Sequence, residues 1–262
     1  MTNPMKIVEL NKSFEKAFWK YVYSDPVDNY FFVYDYKQNR EKSRFYGVMD
    51  DAKELVGIGL NYDSRVVQFR GTEAAIRIMA EGLETGNAYI QVPVEYEQIL
   101  PVKYSSGGAS KFQVTLMSIT RGQEKVKIST VPSKLKVEEA AEISDLISQT
   151  NFEMWTGTVE QVKSRFVDST WLGIREKGKL VSIGAARLND YGSLIGPIAT
   201  LTPFRKRGYA TSIVSTFVAE SLRIPSTPMI SVRKDNLTAL NVYSSIGFEP
   251  QKSYFLIRPS ET

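Results

Sequence analysis

The sequence contains no cysteine and no histidine. The first absence removes disulfides, thiolate nucleophiles, iron-sulfur clusters and cysteine zinc sites. The second removes hydrolases of the Ser-His-Asp and Cys-His types and metals held by imidazole. Proton transfer near neutral pH therefore falls to a carboxylate, a lysine, a tyrosine, a terminal amine or water. Long hydrophobic runs are also missing: nothing approaches the roughly 18 apolar residues of a membrane span, and Met1 to Tyr23 mixes Lys and Glu with aromatics. A soluble, cytoplasmic protein without a membrane partner is the expectation. Nor does one sign of charge dominate, since 33 Lys and Arg stand against 29 Asp and Glu, a net +4, with both signs alternating through most segments. That pattern disfavours a nucleic-acid partner, which calls for a concentrated basic stripe. What is present, 262 residues with 42% hydrophobic and 24% charged, is globular composition with apolar mass for one large core or two small ones.

Periodicity and turn chemistry in the first half predict a mixed aromatic helix from about Lys12 to Tyr23, a turn at Asp25-Pro26 and strand material at Tyr30 to Val33. A hairpin follows, with Arg44 to Met49 and Glu54 to Asn61 flanking Asp50-Asp51. Arg65 to Phe69 reads as a strand, and Thr72 to Leu83 as a helix with Ala75, Ile76, Met79 and Leu83 on one face. Ala88 to Val92 and Lys111 to Thr120 are further strands.

In the second half, Lys125 to Thr130 reads as a strand and Val137 to Gln149 as an amphipathic helix. Thr158 and Gln161 form a capping box, because a hydroxyl at the N-cap and an amide three residues later each satisfy an orphan backbone donor; a helix runs from there to about Val167. Trp171 to Glu176 and Lys179 to Leu188 flank Lys177-Gly178 as a tight hairpin. Leu194 to Thr200 is a strand that leads through a basic, glycine-containing loop into a helix with Ala210, Ile213, Val214, Phe217 and Val218 on one face. Met229 to Arg233 is a short strand, Asn236 to Ile246 a helix closed by Gly247 as a left-handed cap, and Ser253 to Arg258 the last strand. Each half thus runs hairpin, strand, glycine-marked turn, helix, short strand. Two similar α+β units follow, covering residues 1–125 and 126–262; one continuous sheet is the alternative arrangement.

The segment Ile198 to Ala210 joins a strand to the start of a helix, where unpaired backbone N–H groups converge on the positive end of the helix dipole. A diphosphate is the natural guest of such a place. Gly208 allows close approach of phosphate oxygens, Ala210 keeps the first turn narrow, and Arg205, Lys206 and Arg207 add cationic charge. A basic surface turn is the competing reading of the cluster taken alone.

At these residues the chain resembles the GCN5-related N-acetyltransferase (GNAT) superfamily. Arg205-Lys206-Arg207-Gly208-Tyr209-Ala210 matches that family's acyl-CoA loop, Gln/Arg-x-x-Gly-x-Gly/Ala, between the family's fourth strand and third helix. Downstream, Asn236, Ala239, Tyr243 and Gly247-Phe248 reproduce the family's second spacing. The resemblance covers roughly residues 126–262 and implies two GNAT-like (acyl-CoA N-acyltransferase) domains, each a mixed, mostly antiparallel sheet flanked by helices. Residues 1–125 would be a degenerate acetyltransferase-like domain, and 126–262 the domain that binds acetyl-CoA and carries catalysis.

The resemblance further implies acetyl-CoA, or another acyl-CoA, as co-substrate. Ile198, Ala199 and Thr200 would meet the pantetheine arm, Arg205, Lys206, Arg207, Gly208, Tyr209 and Ala210 the pyrophosphate, and Asn236 the pantetheine or neighbouring backbone. Tyr243 would protonate the departing thiolate after direct attack by a neutral amine: a small-molecule amine, an amino acid or a peptide N-terminus. Many members of the family carry a Glu on the fourth strand as general base, whereas Leu194 to Thr200 holds no carboxylate; Glu153 and Asp190 are the candidates in its place. Pro203 also stands one position later than the family's proline. In the first half, Gln68 to Ala75 brings strand and helix together with too few residues for a phosphate cradle, and Glu73 sets negative charge where a phosphate would sit. A non-catalytic acyl-CoA-binding module and a transferase acting on aminoacyl-tRNA are the competing functions.

Overall fold

The structure, a computed structural model, describes residues 5–104, 109–150 and 157–258. The chain divides into two compact units, the first Met1–Leu116 with Arg233–Asp235 and Gln251–Thr262, the second Met117–Val232 with Asn236–Pro250.

In the first unit, β1 (Lys6–Glu9), α1 (Glu15–Val22) and α2 (Tyr30–Gln38) precede β2 (Ser43–Met49), β3 (Leu55–Tyr62) and β4 (Val66–Gly71); α3 (Glu73–Gly82), β5 (Tyr89–Pro93) and β6 (Ser110–Ser118), the last as far as Leu116, follow. β1 to β4 form an antiparallel meander, and β4 and β5 run parallel, with α3 as the crossover that such a pair needs. α3 buries Ala75, Ile76, Met79 and Ala80 on the face of Val67, Phe69, Ile90 and Val92. Burying each of the larger of these side chains contributes about 1.5–3 kcal/mol.

The aromatic run Tyr30 to Val33, read above as strand, is the first turn of the helix α2. Helix period wins because it places Tyr30 and Tyr34 one turn apart, where their rings stack at 5.7 Å, while Phe32 goes into the core against Phe18. Strand propensity of aromatics expresses how well they fit a half-buried face, and here a helix offers the better one.

The second unit contains β7 (Ser133–Lys134), α4 (Ala140–Ser148), α5 (Val159–Arg165), β8 (Thr170–Glu176), β9 (Lys179–Asn189), β10 (Gly192–Thr200), α6 (Tyr209–Ser221), β11 (Pro228–Arg233) and α7 (Leu237–Ile246). β7 to β10 are antiparallel neighbours, and β11 runs parallel to β10. The order β2-β3-β4-α3-β5 in the first unit therefore recurs as β8-β9-β10-α6-β11 in the second. The architecture is mixed α+β, mostly antiparallel, with helices on the sheets. α6 sends Ile213, Val214, Phe217 and Val218 into a core with Val181, Ala186, Ile195 and Ile230. The capping box at the start of α5 forms as read, with the Thr158 side chain accepting from Gln161 N at 3.3 Å and Gln161 Oε1 accepting from Thr158 N. Gly247 ends α7 at φ +107°.

Two further expectations change. Lys125 to Thr130 forms no strand; its backbone is pinned to α6 instead, with Lys127 N donating to Ser215 Oγ at 3.0 Å and Ser129 N to Ser212 Oγ at 3.2 Å. Both serines are fully buried, so they can satisfy the extended segment where no neighbouring strand does. The last strand, β12 (Glu249–Arg258), read with the second half, has its residues from Gln251 onward in the first unit. Tyr254 to Ile257 pair antiparallel with Pro93 to Ile90 of β5, a backbone register that patterning along one strand does not reveal. Among the described residues no helix is long and apolar enough to cross a membrane.

Candidate functional site

The second unit's site begins at an irregularity in β10. Its register against β9 shifts between Ile195, opposite Ala186, and Ile198, opposite Gly184, so that Gly196 and Pro197 form a bulge. Pro197 has no N–H to give to a ladder. At the same place β10 leaves β11: the parallel pairing ends at Ile195 with Ile230. Ile198 to Thr200 therefore keep β9 on one side and lose a strand partner on the other.

Beyond β10, Thr202–Phe204 form a single 3-10 turn with Pro203 at its start, and the chain then enters α6 through two left-handed residues, Lys206 at φ +61° and Gly208 at φ +78°. Gly208 is the N-cap of α6 and offers no side chain to its first-turn amides. The first intrahelical bond runs from Ser212 N to Gly208 O, which leaves the amides of Tyr209, Ala210 and Thr211 directed out of the helix end. A glycine is needed here, because a Cβ at position 208 would meet Ser129 Oγ at 3.0 Å and sit on a backbone that L residues rarely adopt. The first unit makes the opposite choice. Thr72 caps α3 with its own hydroxyl, accepting from Ala75 N at 3.3 Å, so one of the donors at that helix end is already spent inside the protein.

A cavity of about 870 Å³ joins these features. It is lined by Ile198, Ala199 and Thr200 of β10, by Arg205, Lys206, Gly208, Tyr209 and Ala210 of the loop and first turn, and by Asn236, Ala239 and Tyr243 of α7. Its volume lies in the range of clefts that hold cofactor-sized ligands, roughly 300–1,000 Å³. The charged side chains among its described lining residues are Arg205 and Lys206, both cationic, so the cleft favours an anion. Tyr243 is 8% exposed, packs edge-on to Phe248 and has its pKa raised by burial, so its phenol stays protonated well into alkaline solution. Asn236 caps α7, its Oδ1 accepting from Ala239 N at 3.1 Å.

The residues singled out in the sequence are thus brought together with two exceptions and one that lies out of view. Arg207 turns away from the cleft: its guanidinium pairs with Glu176 of β8 at 2.8 Å and lies 5.2 Å over the Phe204 ring. The Tyr209 phenol donates to the same Glu176 carboxylate. Tyr209 first, and Arg207 with it, hold that carboxyl below the usual range, because each hydrogen bond favours the charged form. Asp190 is exposed in the turn between β9 and β10 and does not line the cleft. Glu153 lies outside the described residues. Sequence reasoning missed Gln149 and Thr150 at the end of α4, and Thr238 and Asn241 on α7. Thr238 and Asn241 carried a usable signal, both lying between Asn236 and Tyr243 within the second motif. Among the described residues no group of three or more acidic side chains is placed to hold a metal ion.

Residues 171–256 match the FR47-like protein family, a stretch that begins in β8 and ends in β12. A Drosophila protein solved by a structural genomics consortium is similar over 98% of this chain and 99% of its own, with 16% identity and a TM-score of 0.74. An acetyltransferase of the GNAT family from Colwellia psychrerythraea matches over 97% and 100%, with 12% identity and a TM-score of 0.61. A tandem GNAT protein from the clavulanic acid biosynthesis pathway matches over 99% of both chains, with 12% identity and a TM-score of 0.60. No curated protein matches the chain in sequence. The chain shares its fold with these solved proteins, a GNAT-family acetyltransferase and a tandem GNAT protein among them, and the FR47-like match lies in its second half.

Proposed function

We propose that the second unit is an N-acyltransferase that takes an acyl group from acetyl-CoA, or another acyl-CoA, and passes it directly to an amine. The observation that carries this reading is one continuous cleft containing an uncapped helix end, an unpaired strand edge and a buried, protonated phenol. The amides of Tyr209, Ala210 and Thr211 would hold the pyrophosphate, with Arg205 and Lys206 supplying charge. The open edge of Ile198 to Thr200 would align the pantetheine arm and give a backbone donor to the tetrahedral oxyanion. Tyr243 would protonate the leaving thiolate; an acid kept neutral by burial suits that step and does not suit general-base work. No carboxylate is among the described lining residues, so the acceptor amine loses its proton through water or through Glu153. Small-molecule amines, amino acids and peptide N-termini are the acceptor classes. The first unit is read as a degenerate acetyltransferase-like domain that holds no acyl-CoA, since Thr72 occupies the helix end and Glu73 adds negative charge beside it.

The test is free-thiol release from acetyl-CoA against a panel of amines, amino acids and peptide N-termini. Turnover with at least one class supports the reading. Tight acyl-CoA binding without thiol release for any acceptor would favour a binding module instead, and RNA affinity falling steeply with salt would favour a tRNA-dependent transferase.

A further inference from the structure

Glu176, the last residue of β8, lies outside the cleft yet holds both residues that flank the N-cap of α6. Arg207 Nη1 donates to its Oε1 at 2.8 Å and to its Oε2 at 3.1 Å, and the Tyr209 phenol donates to Oε1. Arg207 also gives Nη2 to Pro203 O at 3.4 Å and lies over the Phe204 ring. The carboxylate is carried by a paired strand, since Glu176 faces Lys179 across the tight turn between β8 and β9.

The loop held in this way is one that local preference does not fix. Lys206 sits at φ +61°, and a left-handed residue other than glycine persists only where its surroundings over-determine it. The ties on either side of Lys206 do that: Arg205 Nε donates to Thr200 O at 3.2 Å before it, and Arg207 reaches Glu176 after it. Gly208 offers no side-chain cap, so the direction of the Tyr209 amide depends on how Tyr209 itself is held, and its phenol is held by Glu176. On charge alone, a carboxylate bonded to a residue of an anion cradle is unfavourable, and it also draws Arg207 away from the cleft. Any benefit that Glu176 brings to a bound anion is therefore geometric.

We propose that Glu176 is a positioning residue for acyl-CoA: through Arg207 and Tyr209 it fixes the left-handed loop, so that the amides of Tyr209, Ala210 and Thr211 meet the pyrophosphate in one preset arrangement. This rests on the acyl-CoA reading of the cleft. The two ties are redundant, since either one keeps a neighbour of Gly208 fastened to β8, and only removal of the carboxylate releases both. A released loop has to be ordered again by the ligand, which lowers affinity on the scale of fixing one backbone residue, about tenfold.

Calorimetric titration of the full chain with acetyl-CoA, at low and at high salt, tests this. Arg207→Ala and Tyr209→Phe are each expected to bind within about twofold of the native protein, because the other tie survives. Glu176→Ala and the double variant Arg207→Ala, Tyr209→Phe are both expected to lose about tenfold, more than the product of the two single losses. Glu176→Gln keeps an acceptor oxygen for the Tyr209 phenol and is expected to restore binding to within about twofold, a rescue that a requirement for the charge itself would not allow. The tenfold loss is expected to persist at high salt, since the ordering of a loop is not screened. Should Glu176→Ala fail to fold, the double variant carries the same comparison. Tighter binding by Glu176→Ala, which charge alone predicts, would overturn the proposal, as would an unchanged affinity, a purely multiplicative loss in the double variant, or Glu176→Gln binding as weakly as Glu176→Ala. Absence of acetyl-CoA binding by the native chain would instead refute the acyl-CoA reading, and this proposal with it.

Discussion

Replacing Gly208 by Asp and, separately, by Asn separates charge from backbone geometry at the proposed phosphate cradle. Both side chains have nearly the same shape, and both place a Cβ where Ser129 Oγ lies 3.0 Å away on a backbone at φ +78°. Asn and Asp enter the left-handed region more readily than other L residues, so the shared strain costs about 1 kcal/mol. For a chain of this size that is a fall of about 2–4 °C in midpoint, the same for both variants. The Asp carboxylate adds a unit charge roughly 5 Å from a bound phosphate. At an effective dielectric of about 20 this repulsion is about 3 kcal/mol, a loss on the order of a hundredfold in affinity. Calorimetric titration with acetyl-CoA should therefore find the Asn variant within about tenfold of the native protein and the Asp variant weaker than the Asn variant by on the order of a hundredfold, a gap that narrows as salt rises. Equal affinities for the two variants would refute the placement of the pyrophosphate at the start of α6.

Tyr243→Phe preserves the ring in the core and removes the proton; turnover should fall about a hundredfold while acetyl-CoA affinity stays within about threefold, measured by steady-state thiol release beside calorimetry. Because burial raises the Tyr243 pKa above its ordinary value of 10.0, the acid is present below that pH, and the kcat profile should show no alkaline fall between pH 8 and about 10 from its loss. Arg207→Ala should leave acyl-CoA affinity within about threefold, since its guanidinium is held by Glu176, whereas Arg205→Ala should cost about tenfold, the worth of one charged hydrogen bond in the cleft. Gly184→Ala would set a methyl 2.5 Å from Ile213 and 2.6 Å from Ile198, so denaturant unfolding should report a loss of about 1–3 kcal/mol from overpacking under the bulge of β10.

Much of this protein is local in origin. The hairpins of β2 with β3 and of β8 with β9, the capping box of Thr158 and Gln161, the left-handed cap at Gly247 and the loop from Arg205 to Ala210 each rest on residues a few positions apart, whose backbone preferences and hydrogen bonds operate wherever the segment lies. The missing cysteine and histidine restricted the chemistry in the same direct way. Other features depend on partners distant along the chain. Tyr30 to Val33 is helical because stacking and the core around Phe18 reward that period, and Lys125 to Thr130 needs no strand neighbour because Ser212 and Ser215 meet its amides. β12 pairs with β5, more than 150 residues earlier in the chain, and Arg207 leaves the cleft for a carboxylate on β8. The sequence alone determined which segments could cradle an anion and which residue types were available for proton transfer. Only the tertiary structure decided which side chains face the cleft, because an arginine's direction depends on whether a carboxylate, an aromatic face or open solvent lies within reach of its flexible stem, and that is a property of packing.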